Sequence, residues 1–154
     1  MRQMSHKMKQ PATRWVLGHQ VTPYDTTGDY DLMMAETPPH VPGPPPHLHQ
    51  SYQESFLILE GEMEFMIDGE IRGVIAGESV DVTPNTMHTF GNNCDQTFKW
   101  ININSPKGFR SFFETLGIPA SEEDAPAKSV REVVINEVFA TAADFDMHFA
   151  VPQD

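Results

Sequence analysis

The sequence predicts an all-β domain, either a β-sandwich or a small barrel, because short strand-like segments follow one another closely along residues 55–104. Within this region, "EMEFMI" (62–67) comes close to alternating acidic and apolar residues, which is typical of a strand with one buried face. The next two residues, Asp68–Gly69, are a strong signal for a hairpin turn. The later segments "ESVDV", "MHTFG" and "TFKWINI" are separated by turn-forming residues and complete the pattern.

The regions on either side of these strands have different patterns. Nine prolines and glycines fall within residues 23–46, a density that excludes helix and allows edge strands and turns. After Pro106, the phenylalanines of 108–117 and the valines of 129–143 recur at helical spacing, and Ser129 with Glu132 predicts a capping box. We therefore predict a flexible arm at 1–14, a β-barrel at 15–105, and a helical extension at 106–154 that packs on the barrel or on a partner subunit.

Composition limits the classes of partner. A chain of 154 residues predicts one domain, and its net charge of −12 disfavours nucleic acid and anionic membrane surfaces. No segment approaches the roughly 18 apolar residues of a membrane span, and residues 1–15 lack the apolar core of a secretory signal. The single cysteine, Cys94, fits a reducing compartment. These observations predict a cytoplasmic protein with no nucleic-acid or membrane partner.

The stretch "PPPHLHQSYQE" (44–54) contains the candidate metal ligands. The prolines hold the chain extended, and residues i and i+2 of an extended chain point to the same side. His47 and His49 therefore suit two neighbouring positions around one metal ion, with Glu54 and His88 at the starts of two later strands as further candidates. Such a donor set suits iron, manganese, nickel, copper, cobalt or zinc. Two histidines alone are more often polar surface residues.

The same stretch resembles the first motif of the cupin family. That motif has His-x-His, three or four residues, Glu, six residues and Gly, and here His47, His49, Glu54 and Gly61 keep this spacing. Gly43 and the neighbouring prolines stand where the family has its upstream glycine and prolines, although Gly43 is closer to His47 than usual.

The second cupin motif is matched with two departures. Gly77 and His88 keep the family spacing, and Asn92 follows four positions after His88. Thr83 stands where the family has proline, and Asn85 stands where it has glycine. Because asparagine tolerates positive φ better than most residues, we expect the turn to form.

The resemblance implies a cupin-type double-stranded β-helix, or jelly-roll barrel, with a short C-terminal helical tail. It implies one divalent transition-metal ion per subunit, and it assigns the ligand role to His47, His49, Glu54 and His88. Small cupins usually pair, so we expect a homodimer.

The alternation of side chains along a strand predicts which residues form a substrate pocket. If Glu54 and His88 point inward, alternate residues on the same strands also point inward. The predicted pocket contains Phe56, Ile58, Phe90 and Trp100. Asn102 and Asn104 either face solvent or bind the ligand, and the sequence leaves both possibilities open.

Details of the chain, such as "GPPPHLH" and "ILEGEMEF", are similar to cupins of the quercetin-dioxygenase-like type. The resemblance implies a dioxygenase acting on a small aromatic or enolic compound, with Glu54 as both ligand and catalytic base. Two other hypotheses remain. One is an oxygen-independent, metal-dependent isomerase or lyase, and the other is a cupin that binds a small ligand without turnover.

Overall fold

The computed structural model describes residues 11–150, so most of the predicted arm at 1–14 and residues 151–154 lie outside the described part. Within it, twelve strands form two antiparallel sheets that pack against each other. The strands are β1 (Arg14–Val16), β2 (His19–Tyr24), β3 (Asp31–Thr37), β4 (His47–Leu48), β5 (Gln53–Glu60), β6 (Glu62–Ile67), β7 (Glu70–Ile75), β8 (Ser79–Val82), β9 (His88–Gly91), β10 (Phe98–Ser105), β11 (Ile118–Pro119) and β12 (His148–Phe149). The predicted all-β fold is confirmed.

The two sheets differ in size and in their share of the candidate site. The larger has the order β11-β1-β2-β3-β10-β5-β8, and the smaller has β12-β4-β9-β6-β7. Glu54 lies on β5 of the larger sheet, whereas His47 and His88 are directly paired on β4 and β9 of the smaller one. The candidate ligands therefore meet between the two sheets.

The predicted hairpin is confirmed. Strands β6 and β7 pair from Glu62↔Ile75 to Ile67↔Glu70. The two turn residues have positive φ angles, 49° for Asp68 and 83° for Gly69, as in the turn type that matches the twist of a hairpin. Along β6 the residues alternate, with Met63 and Phe65 fully buried, so the period-two pattern correctly predicted the buried face.

The helices follow the last long strand. They are α1 (Arg110–Leu116), α2 (Ala125–Lys128), α3 (Glu132–Thr141) and a 3₁₀ turn at Ala142–Phe145. The predicted capping box is wrong, because α3 begins after Arg131 without a side-chain cap. The buried Ser129 hydroxyl instead accepts the N–H of Gly18 at 3.0 Å and donates to the carbonyl of Pro126, since Ser129 lies in the turn before the helix. No helix within 11–150 is long and apolar enough to cross a membrane.

The C-terminal extension packs against the barrel of its own chain. Its short strand β11 pairs with β1, and β12 pairs with β4. Between these strands the extension forms a second apolar core, separate from the core between the sheets. This second core contains Val16, Phe109, Phe112, Val138, Ala142 and Met147.

Several large apolar side chains remain exposed on the strands. Met34, Leu57, Leu59 and Ile103, all on the larger sheet, are each more than a third exposed. Scattered exposed apolar residues are normal on a monomer's surface. The homodimer stays a prediction.

The buried face of β6 allows a direct test of the core. Phe65 is fully buried and contacts the rings of Phe56 and Phe90, so Phe65→Ala removes a well-packed aromatic and should lower the free energy of unfolding by about 3–5 kcal/mol. Ile71→Ala, on the paired strand at a side chain that is 68% exposed, is the control and should change stability by about 0.5 kcal/mol or less. Urea denaturation of both variants measures the difference, and equal losses would contradict this description of the core.

Candidate metal centre

Three buried histidines converge at one point inside the barrel. His47 begins β4, His49 follows that strand, and His88 begins β9. One ring nitrogen from each lies within 4.8 Å of those of the other two, and each side chain is at most 3% exposed. The proline-rich segment and the β4–β9 pairing thus bring together residues that are about 40 positions apart. The buried triad can hold a metal ion.

The hydrogen bonds of the three rings determine which nitrogen faces the centre. His47 Nδ1 lies 2.9 Å from the carbonyl of Pro45, His49 Nδ1 lies 2.8 Å from that of Asp146, and His88 Nδ1 lies 2.9 Å from that of Thr86. A carbonyl oxygen only accepts, so Nδ1 donates in all three rings. In a neutral imidazole, Nε2 then has a free lone pair. This arrangement is typical of histidines that bind metal.

Glu54 brings a carboxylate to the same centre. Its Oε2 lies 3.0 Å from His88 Nε2 and 3.5 Å from His49 Nε2. Although Oε2 and His88 Nε2 are so close, the geometry gives neither atom a hydrogen bond, and both are buried. Two buried lone pairs at this distance repel each other unless a metal ion or a proton lies between them. The donor set therefore fits a bound metal ion.

A pair of buried asparagines holds the other oxygen of Glu54. Asn102 Nδ2 donates to Glu54 Oε1 at 3.0 Å, and Asn104 Nδ2 donates to Asn102 Oδ1 at 2.6 Å. These residues alternate along β10, which is paired with β5, so both asparagines point inward beside Glu54. Because Oε1 is occupied in this way, Oε2 is the oxygen that faces the histidines.

Burial and neighbouring charges shift the pKa values of these groups. Burial, together with repulsion from His88 and His49, lowers the pKa of His47 to about 3, so its ring is neutral at physiological pH. Burial alone would raise the pKa of Glu54, but His49 and His88 outweigh it and hold that pKa well below its usual range. The centre therefore combines a neutral imidazole with an ionised carboxylate, the forms that bind a metal ion.

A small pocket opens beside His47, His49 and Glu54, with a volume of about 60 Å³. This is less than half of the ~150 Å³ cavity that accepts a benzene molecule. Asn102, Glu54 and the rings of His47 and His49 form its polar side. Its apolar wall contains Val16, Leu17, Val21, Pro44, Phe90, Trp100, Phe109, Phe112, Phe113 and Met147. Because several of these residues belong to α1 and the C-terminal extension, the extension forms part of the pocket wall.

A buried network of hydrogen bonds in the pocket wall holds His19 in place. His19 Nε2 donates to the Pro42 carbonyl at 3.1 Å, and its Nδ1 lies 2.9 Å from the Thr37 hydroxyl. Trp100 Nε1 donates to the same hydroxyl at 3.0 Å. Burial lowers the pKa of His19 to about 4, so the ring is neutral. It borders the pocket with both nitrogens already in hydrogen bonds.

Of the four predicted pocket residues, the structure places two in the pocket wall and two in the core between the sheets. Phe90 and Trp100 lie in the pocket wall. Phe56 and Ile58 lie instead in the core between the sheets, each 1% exposed. Strand parity correctly gave an inward direction for both, but they are deeper than Glu54 along β5. Phe65 packs against Phe56 at a ring distance of 5.0 Å.

Three further residues were not assigned to the site by sequence reasoning. Asn102 and Asn104 are buried beside Glu54, and Asp146 binds His49 from 97 positions away. The only sequence signal for the asparagines was their polarity within an apolar strand, and no local signal indicated Asp146. The substituted Asn85 of the second motif has a φ of 63°, so the turn forms as expected.

Comparison with known proteins supports the same fold and family. Residues 33–104 match the family model for the cupin domain. Over 73 residues, 47% of this chain, the sequence is 34% identical to quercetin 2,3-dioxygenase of Bacillus subtilis, but the match spans only 21% of that relative. These matches support a small cupin-domain protein.

Solved structures agree on the architecture. An RmlC-like cupin from Shewanella frigidimarina has a TM-score of 0.56 at 20% identity, covering 69% of this chain and 92% of that one. Streptomyces Pac13, described as a unique nucleoside dehydratase, has a TM-score of 0.55 at 11% identity, covering 68% and 83% of the two chains. At these identities the likeness concerns the fold, and the predicted double-stranded β-helix is confirmed.

The support of Glu54 by Asn102 can be tested by substitution. Asn102→Ala frees Oε1, so the carboxylate should lose its fixed orientation and zinc affinity should fall about 10-fold, the lower end of the range for groups that support metal ligands. Asn93→Ala, at an exposed position on the loop before β10, is the control and should leave affinity unchanged. Titration against a chelator of known affinity measures both. Equal affinities would show that Asn102 does not orient Glu54.

Metal affinity should also depend on pH through His49. Burial lowers the pKa of His49, but the facing Glu54 carboxylate and the Asp146 contacts outweigh it and raise that pKa above the ordinary 6.5. Protons and metal compete for the same nitrogen. The zinc dissociation constant should therefore rise about tenfold for each pH unit below this pKa and level off above it. Titrations from pH 5.5 to 8.5 check the trend, which a constant affinity throughout that range would contradict.

Proposed function

We propose that this protein is a metal-dependent enzyme, dioxygenase-like, that acts on a small aromatic or enolic compound. His47, His49, His88 and Glu54 would together hold one divalent transition-metal ion. The observation that carries the proposal is the buried contact of Glu54 Oε2 with His88 Nε2, two atoms 3.0 Å apart that have no hydrogen bond. A cation between them would remove the repulsion.

The four donor groups indicate which class of metal ion the site would bind, namely divalent transition metals. Three imidazoles and one carboxylate suit iron, manganese, nickel, copper, cobalt or zinc, and availability often decides among them. When bound, such an ion supplies Lewis acidity and, if it is redox-active, one-electron chemistry. The family relative named for quercetin dioxygenation supports the oxidative hypothesis, although this chain spans about a fifth of that protein.

Glu54 would act on a proton as well as hold the metal. Its carboxylate is ionised at neutral pH because His49 and His88 hold its pKa low, so it becomes a useful base only when Oε2 moves away from those two rings. A substrate hydroxyl in the pocket would give its proton to Oε2, while Asn102 holds Oε1. The enolate or phenolate formed in this way would be the species that reacts.

The pocket favours a compact substrate. Its volume of about 60 Å³ and its wall of phenylalanine, tryptophan and aliphatic side chains suit a short enol. A three-ring flavonol is much larger than a benzene molecule, which itself needs ~150 Å³. The wall would also exclude water from the reacting atoms.

A second candidate is an isomerase, lyase or dehydratase that needs no oxygen. It is favoured by the likeness in fold to Pac13, which is described as a nucleoside dehydratase. The same four side chains would then serve a Lewis-acid reaction, and Glu54 would again move the proton. Dependence on oxygen separates the two candidates.

The first experiment is elemental analysis of tag-free protein. We expect close to one equivalent of transition metal in the parent protein and its loss in the double variant His47→Ala, His49→Ala, which removes two of the four donors. The control is His40→Ala, because this exposed histidine pairs with Asp95 on the surface and its loss should leave the metal content unchanged. Absence of metal from the parent protein, even after reconstitution, would contradict the metal-dependent hypothesis and favour a ligand-binding role.

Oxygen dependence is measured next on metal-loaded protein. A panel of small enols and phenols is incubated in air and under strict anaerobiosis, with oxygen uptake and substrate loss recorded together. Substrate loss with matching oxygen uptake supports the dioxygenase. Turnover under anaerobiosis supports the second candidate, and loss of neither oxygen nor substrate across the panel contradicts the first.

A further inference from the structure

The three histidines of the centre are oriented in two different ways. His47 and His88 each donate Nδ1–H to a carbonyl two positions earlier, at Pro45 and Thr86. These two bonds belong to the local turns of the cupin segment. His49 instead donates to the carbonyl of Asp146, 97 positions later. Its orientation therefore depends on a residue outside the cupin match at 33–104.

Asp146 contacts the chain around His49 with both its main chain and its side chain. Its carboxylate oxygens accept the N–H groups of Gln50 and Ser51 at 2.9 and 2.8 Å. These hydrogen bonds lower the pKa of the Asp146 carboxyl despite its partial burial, so the carboxylate is ionised and the bonds are charge-assisted. One residue thus binds the His49 ring and the two peptide groups that follow it.

The backbone around Asp146 is itself held by further bonds. Asp146 has a φ of 59°, and its N–H donates to the carbonyl of Ala143. On the other side, β12 pairs with β4 so that Phe149 lies opposite His47, and the N–H of Ala150 donates to the carbonyl of Pro46. The carbonyl that accepts from His49 is therefore held on both sides.

We propose that Asp146 is a positioning residue of the metal centre, which aims His49 Nε2 at the metal by holding its ring and the following backbone. The inference deepens the proposed function and rests on its metal site. It differs from simple docking of the extension, because docking alone would require neither a bond to the ligand's own ring nor two bonds to the peptide groups directly after it.

The test compares two glycine variants. Asp146→Gly removes the carboxylate, while glycine still adopts the positive φ and retains the carbonyl. Asp144→Gly is the matched control, because Asp144 is exposed on the neighbouring 3₁₀ turn and has the same charge. Asp146→Asn retains one acceptor oxygen and tolerates positive φ, so it should restore part of what the glycine variant loses.

The first measurement is nitrogen NMR of the histidine rings in metal-free protein, which does not require turnover. At a pH above the raised pKa of His49, where its ring is neutral, we expect His49 to be the Nδ1–H tautomer in the parent protein and in Asp144→Gly, and to become a mixture of tautomers in Asp146→Gly. His47 and His88 should keep their tautomer in all variants. This pattern separates a positioning role from a general loss of stability, which would affect all three rings.

The second measurement is cobalt(II) affinity together with the visible spectrum at saturation. Asp146→Gly should bind cobalt about 10-fold more weakly and with altered bands, and Asp144→Gly should match the parent protein. An unchanged His49 tautomer and an affinity within twofold of the parent protein would overturn the proposal.

Two further outcomes also decide the question. If Asp146→Gly does not fold, the parent protein and Asp146→Asn decide. An Nε2–H tautomer for His49 in the parent protein, or an Nδ1–H tautomer that is unchanged in Asp146→Asn, would overturn the proposal. An Nδ1–H tautomer in the parent protein that becomes partly mixed in Asp146→Asn would support it. If the parent protein binds no cobalt, the metal-dependent function fails and the positioning proposal is overturned with it. Metal binding by the parent protein with no effect of Asp146 overturns the positioning proposal alone.

Discussion

The site depends on one electrostatic constraint, the gathering of several electron-rich atoms at a buried point. Three ring nitrogens face that point because each histidine gives its Nδ1–H to a carbonyl, and Glu54 Oε2 lies among them. Without a metal ion or a shared proton, the lone pairs would repel each other in a region with little water to screen them. A protein retains such an arrangement when the neighbouring structure holds the groups in place.

Both sheets and the extension contribute to holding these groups. The smaller sheet pairs His47 with His88, while the larger one aligns Glu54 with the asparagines of β10. The buried core between the sheets includes Phe56, Phe65 and Trp100 and supports these strands. The extension then forms much of the pocket wall through α1 and Met147. The site is thus a product of the whole described chain, although the motif residues lie between positions 43 and 92.

Sequence reasoning was most successful where the determining contacts are local. The His-x-His spacing, the hairpin at Asp68–Gly69 and the inward direction of Glu54 all follow from the geometry of an extended chain. It failed where the role of a residue depends on its depth in the barrel or on contacts with distant segments of the chain. The alternation along β5 gives the direction of the Phe56 side chain but not its depth in the barrel. The role of Asn102 and Asn104 becomes clear only from the pairing of β10 with β5, which brings them beside Glu54. The bond from His49 to Asp146 joins segments 97 positions apart, and no local pattern encodes it.

That long separation has a consequence for the order in which the protein matures. Ribosomes make the chain from its N-terminus, so all three histidines and Glu54 leave the exit tunnel well before Asp146. Until Asp146 has been made and has reached β4, the His49 ring has no partner to fix its tautomer. The centre therefore reaches its final geometry only after Asp146 has been made, and a metal ion that arrived earlier would meet a ligand set with one ring still free to turn.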